Sequence, residues 1–279
     1  MKVTFFGTTT LLFDDGTDQV LFDAHLTRPS LLTYIFGSAS TDTAIVDEML
    51  KLHGVDRLRA IFISHSHHDH VMDAPYIANR CGAAIYGSTS ALNVLRGGDV
   101  PEERLNPFEA NATFAVGGFR VKVIPSIHSR PTILNNDLGQ TIDRPLRQPA
   151  RLRDYKEGGS WDFCVQAQGK CWVIRPSFNY IEGQMEGCRA DVLFLGVAGL
   201  QKADEATRRI FFRETVDRLQ PKLVIPVHWD NFFSPLTRPV RGMPRLIEKT
   251  DVVFHTLARA CAERGIDCLV QIPGTSVDL

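Results

Sequence analysis

The sequence lacks any apolar run long enough to cross a membrane. An apolar run such as residues 192–200 is far too short, because a membrane-spanning helix needs about 20 consecutive apolar residues. The first residues, Met-Lys-Val-Thr-Phe-Phe-Gly, are typical of a β-strand, and no small-residue cleavage site of a signal peptide follows them. We therefore expect a cytoplasmic protein that does not bind a membrane.

An excess of charge of one sign is also missing, as are paired-cysteine motifs and linkers. The formal net charge is −1, so no basic field would draw the protein to nucleic acid, and we expect no nucleic-acid partner. The six cysteines show no Cys-x-x-Cys spacing, which argues against a disulfide framework and a zinc ribbon. No stretch rich in glycine, serine or proline separates two parts of the chain. One domain, residues 1–279, is therefore the prediction.

Two strand meanders, each followed by alternating strands and helices, predict the fold class. The predicted strands lie at 2–6, 10–13, 19–22, 60–63, 83–86, 114–116, 119–124, 161–168, 170–174, 191–195, 223–227 and 268–272. The predicted helices lie at 43–52, where Asp42 would be the N-cap, and at 71–80, from about 90, 204–219 and 252–264. This order favours an α/β protein with two mixed sheets packed face to face and helices outside.

The most informative stretch that is present is residues 65–70, His-Ser-His-His-Asp-His, directly after the apolar run 60–63. Core packing explains four histidines in six positions poorly, because every buried imidazole needs a hydrogen-bond partner. A solvated histidine-rich tract usually belongs to a low-complexity tail. Neutral imidazole and carboxylate bind divalent transition metals, zinc above all. The cluster therefore predicts a metal site, and a catalytic one.

Two further histidines also follow predicted strands. His128 comes after the strand at 119–124, and His228 comes directly after the strand at 223–227. Either histidine alone would be weak evidence for a ligand. Strand ends at one edge of two packed sheets converge in space, so the shared position of the two residues makes them candidate ligands.

Together these residues resemble the metallo-β-lactamase-fold hydrolase superfamily. Residues 65–70 match its His-x-His-x-Asp-His motif at every defined position, and His128 and His228 follow in the family's order. Asp23, at the end of the strand at 19–22, resembles the family's early aspartate that braces the metal loop. The resemblance covers essentially the whole chain. It implies a four-layer αβ/βα sandwich with a dinuclear metal site at one edge.

Carried over residue by residue, the resemblance implies three ligands for each of two metal ions. Metal 1 would be held by His65, His67 and His128, and metal 2 by Asp69, His70 and His228. Asp69 is also the residue we expect to act in catalysis, whereas His68 fills a variable position. Zinc is the expected metal, and manganese, iron and nickel also suit these ligands. A hydroxide between the ions, formed from water whose pKa falls toward ~7, would be the nucleophile.

Ser177 departs from the family's pattern. The family usually bridges both metals with an aspartate after a strand, and residues 172–177 of this chain place Ser177 there. A hydroxyl group is a poor metal ligand compared with a carboxylate. Asp162 and Glu182 are nearby carboxylates, and spacing favours neither. Loss of the bridge raises the charge of the centre from about +1 to roughly +2, which we expect to weaken metal 2 and favour an anionic substrate.

Residues 129–160 begin directly after His128 and are predicted to form an insert that covers the substrate. Arg130 in this insert, with Arg175 and Asn179, is a candidate for binding a substrate carboxylate or phosphate. The alternative for the insert's basic residues is that they are solvated surface charges. Residues 31–36, Leu-Leu-Thr-Tyr-Ile-Phe, are predicted to form a substrate wall, a part of the core or a dimer contact.

The stretch after His228 carries two expectations. Asp230 is expected to support the ligand His228 from outside the metal's own ligand set. The sequence His-Trp-Asp-Asn at 228–231 also resembles the branch of the superfamily that includes L-ascorbate-6-phosphate lactonase-like enzymes.

These observations predict a metal-dependent hydrolase that cleaves an ester, lactone or phosphoester bond in a small, anionic substrate. A nuclease or phosphodiesterase of the same fold is one alternative, and the near-zero net charge argues against it. The other alternative is a non-catalytic metal-binding or sensing protein, in which Ser177 would mark lost chemistry. The small-molecule substrate is the predicted partner, and the sequence leaves a homo-oligomer open.

Overall fold

Two mixed β-sheets, each of seven strands, form the centre of the computed structural model, which describes residues 1–131 and 136–279. In chain order the strands are β1 (Lys2–Gly7), β2 (Thr10–Asp14), β3 (Gln19–Phe22), β4 (Leu58–Phe62), β5 (Ala84–Gly87), β6 (Leu105–Pro107), β7 (Thr113–Val116), β8 (Phe119–Ser126), β9 (Ser160–Ala167), β10 (Lys170–Arg175), β11 (Val192–Gly196), β12 (Leu223–Val227), β13 (Asp267–Cys268) and β14 (Thr275–Asp278). The first sheet has the order β14-β1-β2-β3-β4-β5-β6, and the second has β13-β12-β11-β10-β9-β8-β7.

Helices lie between the strands in both halves of the chain. They are α1 (Leu31–Phe36), α2 (Thr43–Leu52), α3 (His68–Val71), α4 (Ala74–Cys81), α5 (Thr89–Gly97), α6 (Glu205–Phe212) and α7 (Thr250–Ala262). The Asp42 side chain caps α2 as predicted, because it accepts hydrogen bonds from the backbone N–H groups of Ala44 and Ile45. Among the described residues, no helix combines the length and the apolar character needed to cross a membrane.

Successive residues in the central strands point to opposite faces of the first sheet, as the period of two of a β-strand requires. Phe13 and Phe22 belong to the core cluster shared with the second sheet, and the Phe13 ring lies 5.9 Å from the ring of Trp172. Their neighbours Leu12 and Leu21 belong to a second cluster, which includes residues of α2, α4 and α5. Because both faces are buried, these strands are apolar throughout. The predicted α/β class with two mixed sheets is confirmed.

Several strand ends lead directly to the candidate site. Asp23 follows β3, the histidine cluster follows β4 after Ile63 and Ser64, and His228 follows β12. β3 and β4 are parallel neighbours, and the N–H of Asp23 donates to the carbonyl of Phe62 at 2.8 Å. The loops that leave these strands therefore begin at one edge of the sheet.

Several segments differ from the predictions. β6 has no predicted counterpart, and the helix predicted at 204–219 is α-helical only over α6 and continues as a π-helix, Arg213–Asp217. The helix predicted at 71–80 is two helices, and the first of them, α3, begins inside the histidine cluster. The strand predicted at 268–272 ends at Cys268. The chain instead closes the first sheet with β14, which pairs with β1 in the register Lys2↔Asp278. Short exposed edge strands such as β14 have no buried face, so no apolar alternation indicates them.

Candidate metal centre

The histidine cluster forms a loop that ends in the single turn of α3. His67 has an extended backbone, and its carbonyl accepts from the N–H groups of His70 and Val71 at 3.0 and 3.1 Å. The loop thus stays extended through His65 and turns helical only after His67. All four of the predicted ligands in the loop are buried: His65, His67, Asp69 and His70.

The six predicted ligands lie in two groups of three. The first group is His65, His67 and His128, and the second is Asp69, His70 and His228; within each group the candidate ligand atoms lie within 4.8 Å of one another. The groups adjoin, since the ring centroids of His65 and His70 are 3.8 Å apart. Sequence reasoning therefore selected side chains that the fold brings together from three separate segments.

The donor atoms of these groups fit divalent metal ions. The Nδ1 atoms of His70 and His128 face protein oxygens, on Asp23 and on the Ser129 carbonyl, at 2.7 and 3.0 Å. The buried Nε2 atoms of His65 and His70 have no hydrogen-bond partner within the described chain. A buried imidazole nitrogen without a partner is costly, and metal ligation from one nitrogen with a hydrogen bond at the other removes that cost. The residues present therefore suit a transition metal.

Asp23 holds the histidine loop by hydrogen bonds to its first residue. Its carboxylate accepts from the N–H of Ser64 at 2.7 Å and from the Ser64 hydroxyl at 2.8 Å, and the Thr9 hydroxyl donates to it. The same carboxylate lies 2.7 Å from Nδ1 of His70. Because Asp23 contacts both the start of the loop and a candidate ligand, it fixes the orientation of the His70 ring.

Asp230 supports His228 through the backbone of Thr8 rather than through the imidazole. Its carboxylate accepts from the N–H of Thr8 at 2.8 Å, and the carbonyl of Thr8 accepts from the N–H of His228 at 2.6 Å. Arg28 forms a buried ion pair with Asp230 at 2.7 Å. Gly7 leaves room for this pair, since a Cβ there would lie 1.7 Å from Nη2 of Arg28. His228 itself has φ +61°.

The two groups differ in their electrostatics. Burial lowers the pKa of His65 well below its usual value, and burial with the neighbouring His67 lowers the pKa of His128 to about 3. Burial acts in the same direction on His70, but the carboxylates of Asp69 and Asp23 outweigh it and raise the pKa of His70 to about 10. His65 and His128 of the first group therefore offer neutral imidazoles, whereas a metal ion would replace a proton on His70 of the second.

A cavity of about 730 Å³ opens onto both groups. His67, His128, Asp69 and His228 form part of its wall. Its other lining residues include four basic ones, Arg130, Arg153, Lys156 and Lys202, and several aromatic ones, Tyr34, Phe178, Tyr180, Phe232 and Phe233. Arg130 and Asn179 thus line the cavity, together with other residues of the predicted insert such as Lys156. Their binding of a substrate stays a prediction.

Arg175 corrects the predicted set of substrate-binding residues. It is 1% exposed, and its Nη2 lies 3.3 Å from the Asp162 carboxylate and donates to the carbonyl of Asn179 at 3.2 Å. Within the described chain it is not part of the cavity wall. The alternation of β10 turns Arg175 inward, and the antiparallel hairpin with β9 brings Asp162 to meet it.

Ser177 lies on the cavity wall, and its place at the position of the family's bridging aspartate stays a prediction. Asp162 and Glu182 are the nearby carboxylates considered as replacements for the missing aspartate, and neither belongs to a ligand group. Asp162 is engaged by Arg175, and the exposed Glu182 lies 4.0 Å from Arg213. Sequence reasoning missed Asp137, whose two carboxylate oxygens lie 3.1 and 3.2 Å from Nε2 of His67. The sequence indicated Asp137 only as a carboxylate within the basic segment that follows His128.

Residues 31–36 form α1, which has no buried residues. Leu32 and Phe36 are 70% and 83% exposed, so of the three alternatives for this segment, core packing does not apply to these two residues. Tyr34 lines the cavity, and its ring lies 5.3 Å from that of His68. His68 lines the cavity as well and belongs to neither ligand group.

Comparisons with known proteins agree with this geometry. The family model described as "Beta-lactamase superfamily domain" matches residues 18–155, which include Asp23, the histidine cluster and His128. A "UPF0173 metal-dependent hydrolase" of Methylobacterium nodulans is 26% identical over 249 residues, covering 86% of this chain and 88% of the relative. One of Archaeoglobus fulgidus is 25% identical over 286 aligned residues, covering 100% and 99%. The solved structure of Igni18, a metallo hydrolase of Ignicoccus hospitalis, has the same fold, with a TM-score of 0.62, 18% identity and coverage of 99% and 97%.

Proposed function

This chain belongs to the metallo-β-lactamase superfamily and is a metal-dependent hydrolase, and we propose that it cleaves an ester, lactone or phosphoester bond in a small, anionic substrate. Its two ligand groups would hold two divalent metal ions, zinc in the first place, with manganese, iron and nickel as the alternatives. The lactonase-like branch stays a prediction.

One observation carries this proposal: two adjoining groups of three metal-binding side chains line a cavity large enough for a small molecule. A binding site for a structural metal is closed by four protein ligands, whereas a catalytic site keeps a position open. Each of these groups offers three ligands and faces the cavity, which supports a catalytic role over a structural one.

The charge around the cavity supports an anionic substrate. Four basic residues line it, whereas Asp69, Asp137 and Glu248 are its acidic residues. Asp69 belongs to a ligand group, and Glu248 accepts a hydrogen bond from the N–H of Gly199. The basic side chains of the cavity wall would attract a carboxylate or phosphate group of the substrate.

The residues of this chain would bind, orient and shield the reacting groups. Metal ions in the two ligand groups would supply an ionised water molecule at neutral pH and polarise the bond to be cleaved. Asp23 holds His70 in place, and the half-buried Lys156 faces the substrate from the insert. Phe232 and Phe233, whose rings lie 4.5 Å apart, form an apolar wall that excludes water beside His228.

A substrate panel with and without metal tests the proposal. The wild-type protein is loaded with zinc or manganese and assayed on p-nitrophenyl acetate, a phosphorylated lactone, bis(p-nitrophenyl) phosphate and single-stranded oligonucleotides at low salt. We expect metal-stimulated turnover of the small, anionic substrates and loss of it in the double variant His65→Ala/His228→Ala. The variant His255→Ala changes an exposed histidine of α7 and is the matched control.

The outcomes separate the alternatives. Cleavage of the oligonucleotides in preference to every small substrate would favour the nuclease. Stoichiometric metal binding without turnover of any substrate would favour a non-catalytic metal-binding protein.

A further inference from the structure

We infer that Asp137, from the segment between β8 and β9, supplies the metal centre with the carboxylate that Ser177 does not provide. This inference rests on the proposed function, because it presupposes metal ions in the two ligand groups. It assigns a seventh ligand residue to a part of the chain that the superfamily motif does not include.

Asp137 is the carboxylate of the cavity wall that approaches the first ligand group. Both of its oxygens lie within 3.2 Å of Nε2 of His67, and its side chain is 14% exposed. The first group contains imidazoles alone, so it carries no negative charge of its own. A carboxylate at its edge is the harder, charged ligand that this group lacks, and it would offset part of the charge of a dication.

The other acidic side chains of this region have partners elsewhere. Asp162 is paired with the buried Arg175, and Asp230 is paired with the buried Arg28. Glu248 accepts from the backbone N–H of Gly199. Among the described residues, three acidic side chains contact a member of the two groups: Asp69 and Asp23, which lie against the second group, and Asp137. Of these three, Asp137 contacts a histidine of the first group.

The segment that carries Asp137 is attached directly to the histidine loop. Ser66, between two candidate ligands, donates from its N–H to the carbonyl of Glu157 at 3.0 Å and from its hydroxyl to the carbonyl of Lys156 at 2.6 Å. Gly158 permits this close approach: it has φ +67°, and a Cβ there would lie 2.3 Å from Oγ of Ser66. The far end of the segment is therefore fixed to the loop that it would help to complete.

A second set of contacts carries this attachment back to Asp137. The N–H of Gly158 donates to the carbonyl of Gln140 at 3.0 Å, and the N–H of Gln140 donates to the carbonyl of Asp137 at 2.9 Å. The carboxylate of Glu157 accepts from the N–H of Gly139 at 3.1 Å. The position of Asp137 beside His67 is therefore supported by hydrogen bonds of the residues that directly follow it, Gly139 and Gln140.

The alternative role is that Asp137 only orients His67 by accepting a hydrogen bond from its ring N–H, as partners of metal-bound histidines commonly do. The two roles differ in one respect. A carboxylate introduced at position 177 could replace Asp137 as a metal ligand, since the two positions line the same cavity. It could not replace a hydrogen-bond partner that is specific to His67.

The test measures metal binding in Asp137→Asn, in the double variant Asp137→Asn/Ser177→Asp and in the control Asp154→Asn, an exposed carboxylate of the same segment. Zinc content after dialysis and zinc affinity by chelator competition are the readouts, with the visible absorption of the cobalt-loaded protein as a third. We expect Asp137→Asn to lose one metal equivalent or to bind it at least about tenfold more weakly, with a changed cobalt spectrum. Ser177→Asp should restore the lost equivalent, and Asp154→Asn should behave as the wild type.

Two results would overturn the inference alone. In the first, the wild type binds two zinc equivalents and the Asp137→Asn variant binds them equally tightly. In the second, the double variant folds but Ser177→Asp does not restore the lost zinc equivalent. A wild type that binds no divalent metal would instead overturn the proposed function and this inference with it. Circular dichroism of each variant shows whether it has folded.

Discussion

The carboxylate of Asp23 lies 2.7 Å from Nδ1 of His70, and both side chains are 1% exposed. The contact joins the end of β3 to the first turn of α3, which are 47 residues apart in the chain. Asp23 also accepts from Ser64 at the start of the histidine loop. One buried carboxylate thus fixes the position of the loop and the direction of a candidate ligand.

Asp23→Asn should therefore weaken metal binding more than it weakens the fold. The amide keeps an oxygen for the N–H of Ser64 but loses the charge that favours the donating imidazole of His70. Changes of this kind typically cost about 10- to 100-fold in metal affinity. Chelator competition on wild type and variant measures the effect. Unchanged affinity in a folded variant would show that Asp23 does not orient His70.

Gly7→Ala should damage the support of His228, and Gly16→Ala is its matched control. The two glycines have nearly equal φ, +95° and +94°, so the backbone strain of the substitution is the same, about 1–3 kcal/mol. A Cβ at Gly7 would lie 1.7 Å from Nη2 of Arg28, whereas nothing lies within 4 Å of one at Gly16. We expect urea unfolding to show an additional loss of about 1–3 kcal/mol for Gly7→Ala alone.

The same pair of variants separates stability from function. Displacement of Arg28 moves its partner Asp230 and, through Thr8, the backbone of His228. Metal affinity should therefore fall in Gly7→Ala and stay at the wild-type level in Gly16→Ala. Equal stability of the two variants would show that a Cβ at position 7 does not displace Arg28.

The two candidate ligand groups could be predicted from the sequence because each of their segments follows a recognisable strand. The cluster after β4 and the single histidine after β12 are local patterns of apolar strand and polar end. The strands before Asp23 and His228 were also assigned correctly, since Gln19–Phe22 and Leu223–Val227 are the segments that the apolar runs indicate. Local patterns of this kind predict a residue's place in the fold wherever that place depends on one strand alone.

Arg175 and Asp137 could not be placed in this way, because their roles depend on partners distant in sequence. Arg175 follows a predicted strand and precedes Ser177, yet its pairing with Asp162 across the hairpin buries it. Asp137 lies in a segment with no periodic pattern, and its position depends on contacts of Ser66 with the far end of that segment. Neither pairing leaves a periodic signal in the sequence.

Breaking the buried ion pair of Arg28 and Asp230 should cost far more stability than breaking an exposed one. Arg28→Gln leaves the Asp230 carboxylate, which is 0% exposed, without its charged partner, and such a loss typically costs about 3–5 kcal/mol. Arg57→Gln removes a pair with Asp14 at 3.0 Å whose arginine is 40% exposed, and about 0–1 kcal/mol is expected. Urea unfolding of both variants measures the difference. Similar losses would mean that the Arg28–Asp230 pair stabilises the fold no more than a surface pair does.

Lys156→Met should weaken binding of an anionic substrate without impairing the metal centre. Lys156 lines the cavity, and its backbone carbonyl still accepts from Ser66 in the variant, so the attachment of the segment is retained. Loss of one charge-assisted contact of about 1.5 kcal/mol would raise KM about tenfold for an anionic ester. The KM for a neutral ester and the zinc content should stay at the wild-type level. Lys51→Met, on the exposed surface of α2, is the control. An equal rise of KM for the neutral and the anionic ester would show that Lys156 shapes the cavity rather than attracting charge.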